Sequence, residues 1–540
     1  MELSLVEHVG RGEWLDLAAD EVINEAAMRS WGASRTCRAS VIRDILRGRL
    51  AVDPDPHGLR LQGALIVGRL DLENLTTDIN LELKECFLEE GLLARNARLA
   101  SVALAGSQLE HPAEPPLDAA WLTCSVLNLK DARIFGHAKA GAVCLVGANI
   151  GGQLDCTSAQ LRNDSGPALD GDGLQVGQDL QAAVLTASGS GYLGAVRLVG
   201  AKIGGQLDFG AADLLNDSGP AESSSVESSS VESAPALIAD GLQVGQGMFG
   251  PATATGSGHR GAVRLVGAHI GGSLECDGAA LINDSGPALV ADGLQVSQGM
   301  FLRYRFTATG SSHLGAVRLV DAHIGGQLDC TNSALRNDSG PALAASGLTY
   351  AGVPHGISGP EWRNLLRDGT RSYAAQPYQQ LAAGYRAAGQ ERQAREILMA
   401  QRDDELTLTD TGWRERLWGR ITKVTLGYGY QPWRALLFLA AVVAISCVLA
   451  VVLGWHGALV QSKQTATPGR PCTVIQKVSV GLDLNLPIGT SVGRADCDLT
   501  TDSASVTAAW LTAVGWVLRL LAWAFAALFI AGFTSAVRKT

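Results

Sequence analysis

The twelve residues Leu198-Val-Gly-Ala-Lys-Ile-Gly-Gly-Gln-Leu-Asp-Phe209 recur with small changes at 61–72, 145–156, 265–276 and 319–330. A looser half-copy sits between successive phrases, as in Leu174-Gln-Val-Gly-Gln-Asp-Leu-Gln-Ala182. The step from phrase to half-phrase is 26 to 28 residues, marked by Ala148, Leu174 and Ala201, then by Leu242, Ala268, Leu294, Ala322 and Leu348. Within the phrase, Leu198, Ala201, Ile203, Leu207 and Phe209 never sustain the three-four rhythm of a helix, so short strands joined by tight turns are predicted. Gly200, Gly204 and Gly205 suit the corners, and Asn-Asp-Ser-Gly-Pro starting at 163, 216, 283 and 337 reads as a longer turn. One such coil cannot bury its apolar side alone. Stacking closes the core, and the repetition predicts a mainly β, right-handed β-helix, a solenoid whose stability is summed over neighbouring coils.

The ends of a stack need covers, which divides the chain into a helical N-terminal cap (1–56), the solenoid (57–352), a helical hairpin (353–410) and a C-terminal region (411–540). Helices are expected around 13–28 and 40–46, and a hairpin over 377–406 turning at Gly389. The one long step, between Ala201 and Leu242, contains 221–233, where Ser-Ser-Ser-Val-Glu is written twice. Such a polar, low-complexity stretch is expected to loop out of one coil without disturbing the stack.

The phrases resemble a degenerate pentapeptide-repeat β-helix: Leu198 to Ile203 keeps the five-residue step, whereas Ile203 to Phe209 is six. The whole layout is similar to actinobacterial proteins catalogued as membrane-associated oxidoreductases. The resemblance is carried by Arg-Ala-x-Val-Ile (38–42), the Gly-Ala-x-Ile-Gly-Gly-x-Leu-Asp repeats, Gln-Pro-Tyr-x-Gln-Leu-Ala (376–382) and an apolar C-terminal segment. It implies oxidoreductase chemistry with NAD(P) or flavin, although no residue here is matched to a catalytic role. The stretch from Tyr378 to Leu398 also resembles a single tetratricopeptide unit, which alone makes no peptide groove and is expected to cap the last coil.

A chain of 540 residues with 46% hydrophobic residues and 64 glycines can bury a large core. A net charge of −10 with no basic, aromatic-interleaved stripe argues against nucleic acid as a partner. Residues 1–11 carry Glu2, Glu7 and His8 and lead to no apolar run, so no signal peptide is read there. Residues 435–454 hold twenty residues without a charge, about 30 Å of helix, the thickness of the hydrocarbon layer. A second span is expected near 517–537, starting close enough to Arg519 for its charge to snorkel. Trp433, Trp455, Trp510 and Trp516 fall near the boundaries, as an aromatic belt would. Arg414, Arg416, Arg420, Lys423 and Arg434 precede the first span, and Arg538 and Lys539 follow the second, so both ends are expected on the cytoplasmic side of a plasma membrane. The loop 455–509 then faces outwards, where Cys472 and Cys497 could pair in an oxidising space.

Two segments, Gly189-Ser-Gly-Tyr-Leu-Gly194 and Gly256-Ser-Gly-His-Arg-Gly261, match the dinucleotide fingerprint. The mechanism behind that motif needs a following helix, and Ala-Val-Arg-Leu-Val reads as strand, so inter-coil turns are expected instead. Cys156, Cys276 and Cys330 share a repeat position with Phe209 and Leu72, which marks an apolar core site rather than a metal or redox ladder. No C-x-x-C pair occurs, and neither a metal site nor a bound cofactor is predicted. His269 and His323 share a polar column with Asn149 and Lys202, while Asp155, Asp208, Glu275 and Asp329 form an acidic one; these are the repeated ionisable patterns read as candidate ligand columns. Three functions stay open. The first is a membrane-anchored platform or scaffold for a protein partner; the second is the oxidoreductase that the resemblance implies. The third is a channel-like or sensor module, in which an amphipathic 478–492 segment re-enters the membrane and the spans assemble a homo-oligomeric pore.

Overall fold

The computed structural model describes residues 1–18, 23–51, 53–217, 234–369, 373–409, 412–456, 459–461, 470–483, 485, 497–499 and 506–539. It comprises two compact units, Met1–Ala394 and Arg395–Thr540.

The first unit is a β-solenoid of about 12 turns. One turn can be followed through Val143–Cys144, Asn149–Ile150, Leu154–Asp155 and Gln160–Asn163 before the chain reaches Leu169–Asp170, directly above its start. Stacked turns pair in parallel and build three sheets: sheet I takes two strands from each turn, and sheets II and III take one each. Along the regular part, paired residues lie 26 apart, as Gln243 and His269 do, or 27, as Gln175 and Lys202 do. Nearer the N-terminus the turns shorten: Leu59 pairs with Leu81, and Leu81 with Val102.

Two-residue strands suffice because each turn borrows its hydrogen bonds from its neighbours. Ile150, Val176, Ile203, Val244, Ile270, Val296 and Ile324 stack into one interior column, none more than 3% exposed. Burying each contributes roughly 1.5–3 kcal/mol. At the following corner stand Gly177, Gly204, Gly245 and Gly271. A Cβ on any of them would overlap the carbonyl oxygen of the glycine one turn earlier, so glycine is set here by close approach of backbones.

Residues 13–28 do not form the single helix expected from the sequence. The helices are α1 (Glu2–Arg11) and α2 (Glu25–Ser30), and between them Leu15–Asp16 is a strand that pairs with Leu61 and Gln62 on sheet I. α1 turns Leu5 and Val9 inward and stops at Gly12, whose left-handed φ of 68° ends it before the strand. Thr36–Arg38 opens sheet II against Leu65–Val67, and α3 (Ala39–Leu46) follows with Val41, Ile42, Ile45 and Leu46 buried.

The far end is closed by α4 (Gly359–Gly369) and α5 (Gln376–Ala387). Trp362 of α4 is buried, and its Nε1 donates to Tyr350 Oη at 3.0 Å. On α5, Gln376 Nε2 donates to Leu348 O at 2.9 Å and Gln380 Nε2 to Tyr350 O at 2.6 Å, so side-chain amides satisfy carbonyls at the exposed strand edge.

The insertion 221–233 lies outside the described residues, but its flanks locate the extra chain. Lys202 pairs with Gln243, 41 residues away, where 26 is usual, and the register on either side continues unbroken. Ser190 and Ser311 donate their backbone N–H to Gly166 and Gly286 at 3.0 and 2.9 Å; Ser257 donates to Ala234 at 2.9 Å. Ala234 therefore takes the seat of the turn glycine, and the fifteen extra residues are 219–233.

In the second unit, α6 (Glu391–Leu408, entered from the first unit) and α7 (Trp413–Leu426) precede α8 (Trp433–Trp455), with α9 (Val474–Asp483) and α10 (Val506–Lys539) after it. α8 and α10 contain the two stretches, Trp433–Val452 and Ala513–Thr534, that are long and apolar enough to cross a membrane. They pack on each other through Val442, Leu518 and Ala522, with Phe438 stacked on Phe525 at 5.4 Å. Arg519 lies within the second stretch, as it does within the expected span 517–537.

Candidate binding face

The residues before the interior isoleucine column point outwards. Register pairs run Asn149, Gln175, Lys202, Gln243, His269, Gln295, His323 and Thr349 without a break up sheet I. The seven from Asn149 to His323 are exposed. Asn149, Gln175, Lys202, Gln243 and His269 line one side of a shallow depression of about 370 Å³, floored by the corner glycines. Strands in register lie about 4.8 Å apart, so this column is a ruler of amide, ammonium and imidazole groups at that spacing. His269 and His323 are separated by Gln295, hence about 10 Å apart, which is too far to share one metal ion. His323 Nδ1 lies 2.6 Å from Thr349 Oγ1.

The acidic column is interleaved rather than continuous: Asp155, Gln181, Asp208, Phe249, Glu275, Phe301 and Asp329 succeed one another. Successive carboxylates are again two turns apart. Each is engaged locally. Asp155 accepts from the backbone N–H of Thr157 at 2.9 Å, Asp208 from Gly210 at 2.6 Å and Asp329 from Thr331 at 2.9 Å, while Glu275 accepts from Ser273 Oγ at 2.9 Å. The three aspartates fix the corners that follow them, and Glu275 ties back to the residue two before it. Among the described residues no group of three or more His, Cys, Asp or Glu is placed to hold a metal.

A third repeated ionisable pattern was missed in the sequence. On sheet III, Arg197, Arg264 and Arg318 reach back one turn to Asp172, Asp240 and Asp292, at 2.7 Å for Arg264 and Asp240. The other oxygen of each aspartate accepts the backbone N–H of Val199, Val266 or Val320 at 3.1 to 3.3 Å. The signal was present, as Asp-Gly-Leu-Gln-Val followed by Ala-Val-Arg-Leu-Val 24 to 26 positions on, but partners that far apart become neighbours only when the coil length is known. Beside Arg197, burial together with the nearby Asp172 charge raises the Asp170 carboxyl to about 6.

Cys156, Phe209, Cys276 and Cys330 are all buried, and burial pushes the three thiols up to about 12, out of the range of nucleophilic thiolates. Leu72 does not belong with them. Leu70–Asp71 lies in sheet III, paired with Leu92 and Leu93, whereas Leu154–Asp155 lies in sheet I, so the Leu70–Leu72 end of the phrase sits on a different face. The likeness of sequence was real but out of phase, because the N-terminal turns are shorter.

The two dinucleotide-like segments are turns. Gly189 and Gly256 lie at the ends of sheet II strands, Thr186–Ser190 and Thr253–Gly256, paired with Asn216 and Asn283, and each segment leads into a strand, Val196–Arg197 or Val263–Arg264, so no helix N-terminus faces them. Close approach explains the first glycine of each, since a Cβ on Gly189 would lie 2.7 Å from Ala195 Cα and one on Gly256 2.6 Å from Ala234 O. Asn163, Asn216 and Asn283 are buried, and each Nδ2 bridges two turns: Asn163 donates to Ala138 O and Pro167 O at 2.7 and 2.8 Å, Asn283 to Gly258 O and Pro287 O at 3.0 and 2.8 Å.

In the second unit Cys472 and Cys497 are disulfide-bonded with Cα atoms 6.4 Å apart, and both pack with Leu459 and Val480. α9 lies against the second half of α8, where Gly481 meets the backbone of Cys447 and Lys477 covers Gly454.

Family models, curated proteins and solved structures give no match to this chain.

Proposed function

We propose that the chain is a membrane-tethered scaffold, in which the solenoid presents the sheet I ladder to a protein partner and the α8–α10 hairpin fixes it to the bilayer. The observation that carries this is the unbroken exposed column from Asn149 to His323 on a backbone rigidified by turn-to-turn pairing. Rigid, evenly spaced polar groups lose little conformational entropy on binding an extended partner. The tether is supported by the exposure of the two apolar stretches, of which only 22% and 17% is buried, the reverse of a soluble core helix. Basic residues before α8 and at the C-terminal end of α10, with a disulfide between the two helices, favour a cytoplasmic solenoid and an external loop.

The test is affinity capture with full-length protein, comparing wild type with K202E/Q243E/H269E. A partner held by the wild type and released by the folded triple variant supports the reading; equal retention locates the interface elsewhere. The oxidoreductase reading rests on the resemblance alone. A flavin-like absorbance between about 300 and 600 nm, or a saturable thermal shift with NADH, NADPH or FAD, would replace the scaffold with an enzyme. The channel-like reading has one structural support, the packing of α9 along α8 at the depth of Cys447.

A further inference from the structure

α7, Trp413–Leu426, leaves an apolar stripe uncovered. At 100° per residue, Trp413, Leu417, Ile421 and Val424 fall within one 80° sector, and they are 70%, 51%, 41% and 56% exposed. The opposite side is packed: Gly419 meets Leu406 of α6, and Leu426 meets Gly532 of α10. Cations flank the stripe, with Arg416, Arg420 and Lys423 along one edge and Arg414 along the other, its guanidinium 5.5 Å from the Trp413 ring. Glu415 is the single acid of the helix and falls on the packed side by the same count. Seven residues after α7 ends, the apolar stretch of α8 begins at Trp433.

We infer that α7 lies in the plane of the bilayer surface, its Trp413–Leu417–Ile421–Val424 stripe sunk among the acyl chains and Arg414, Arg416 and Arg420 on anionic lipid headgroups. An apolar stripe bordered by cations has the complementarity an anionic membrane surface offers. The stripe faces away from α6 and α10, so lipid reaches it without disturbing the helix packing. Lys423 is held by Asp403 at 2.7 Å and serves to orient the helix. This goes beyond the tether and depends on the α8–α10 hairpin crossing the bilayer.

The experiment places p-benzoylphenylalanine at Leu417 of the full-length protein in lipid nanodiscs containing phosphatidylglycerol and phosphatidylcholine. Photolysis is followed by mass spectrometry, with Leu520 in α10 and Trp121 on the solenoid as separate reference positions. The expected result is lipid adducts at 417 and 520 and none at 121, with phosphatidylglycerol enriched at 417 about threefold or more over its share of the bilayer, and that enrichment lost in R414Q/R416Q/R420Q. Adducts at 520 without any at 417 overturn the placement of α7 while leaving the tether standing. Protein adducts at 417 would make the stripe an interface with a second copy, which also overturns it. No lipid at either position removes the tether and this inference together.

Discussion

Substituting Asn283 probes the joint between turns most directly. Its side chain makes three hydrogen bonds at a site 1% exposed: Nδ2 donates to Gly258 O and Pro287 O, and Oδ1 accepts from Ser285 N at 3.1 Å. Asn283→Ala removes all three, leaving Gly258 O and Pro287 O with only the backbone N–H groups of Gly261 and Ala262, at 3.4 and 3.1 Å. At about 1 kcal/mol for each bond lost, the loss is about 3 kcal/mol. In a solenoid the damage stays local, since each turn touches only its neighbours. The local opening constant should therefore rise about 150-fold. Hydrogen exchange of full-length protein in detergent should show that acceleration in peptides spanning 254–290, while peptides around 127–136 exchange as in wild type. Asn283→Asp separates shape from donor capacity. Its carboxylate would face two carbonyl oxygens, so it should be worse than alanine at pH 7 and recover in part on acidification, when the protonated group can donate one bond. Unchanged exchange around 254–290 in Asn283→Ala would refute the view that these amides tie the turns together.

Deleting 219–233 joins Ser218 to Ala234 and restores the ordinary turn, so the melting temperature should change by the equivalent of less than about 1 kcal/mol; a large drop would show that the insertion is structural. Ile203→Asp or Ile270→Asp places an unpaired charge in the interior column and should cost several kcal/mol, read as aggregation or as early protease nicking of the solenoid. For Asp170 the folded carboxyl titrates near 6 rather than at its ordinary 3.8, so the folded state holds a proton the unfolded chain has lost across that window, and stability falls as pH rises through it. Discounted for partial exposure, the penalty at pH 7 is about 1–2 kcal/mol; Asp170→Asn should remove it, raising thermal stability at pH 7 but not at pH 4. Cys156, Cys276 and Cys330 should resist maleimide at pH 8 until the solenoid unfolds, and rapid labelling of the native protein would contradict their burial.

Repetition in the sequence carried most of the architecture. A phrase recurring every 26 to 28 residues, apolar at strand-like spacings and punctuated by glycine, admits few folds other than a stacked coil, because each copy needs its neighbours to cover its apolar side. The two apolar stretches were equally legible, since length and absence of charge are properties of the chain itself. Phase was not legible. Leu61–Leu72 looks like the later phrases but runs from sheet I through sheet II to sheet III, because similarity cannot report the shorter turns that lie between it and them. Leu15–Asp16, within a region read as helical, is a strand because the edge of sheet I at Leu61 and Gln62 offers it hydrogen bonds that two residues cannot supply for themselves.

For the binding face, the sequence by itself determined which residue types share a column, since that follows from the repeat. Only the tertiary structure decided what those columns can do. Stacking puts Gln295 between His269 and His323, and Phe249 between Asp208 and Glu275, so groups that looked adjacent lie two strand spacings apart and bind no common ion. The same stacking brings Arg264 to Asp240, 24 residues away, and seats Ala234 where other turns have glycine. Sequence distance sets membership of a column; coil length and register set which atoms meet, and those are properties of the closed stack.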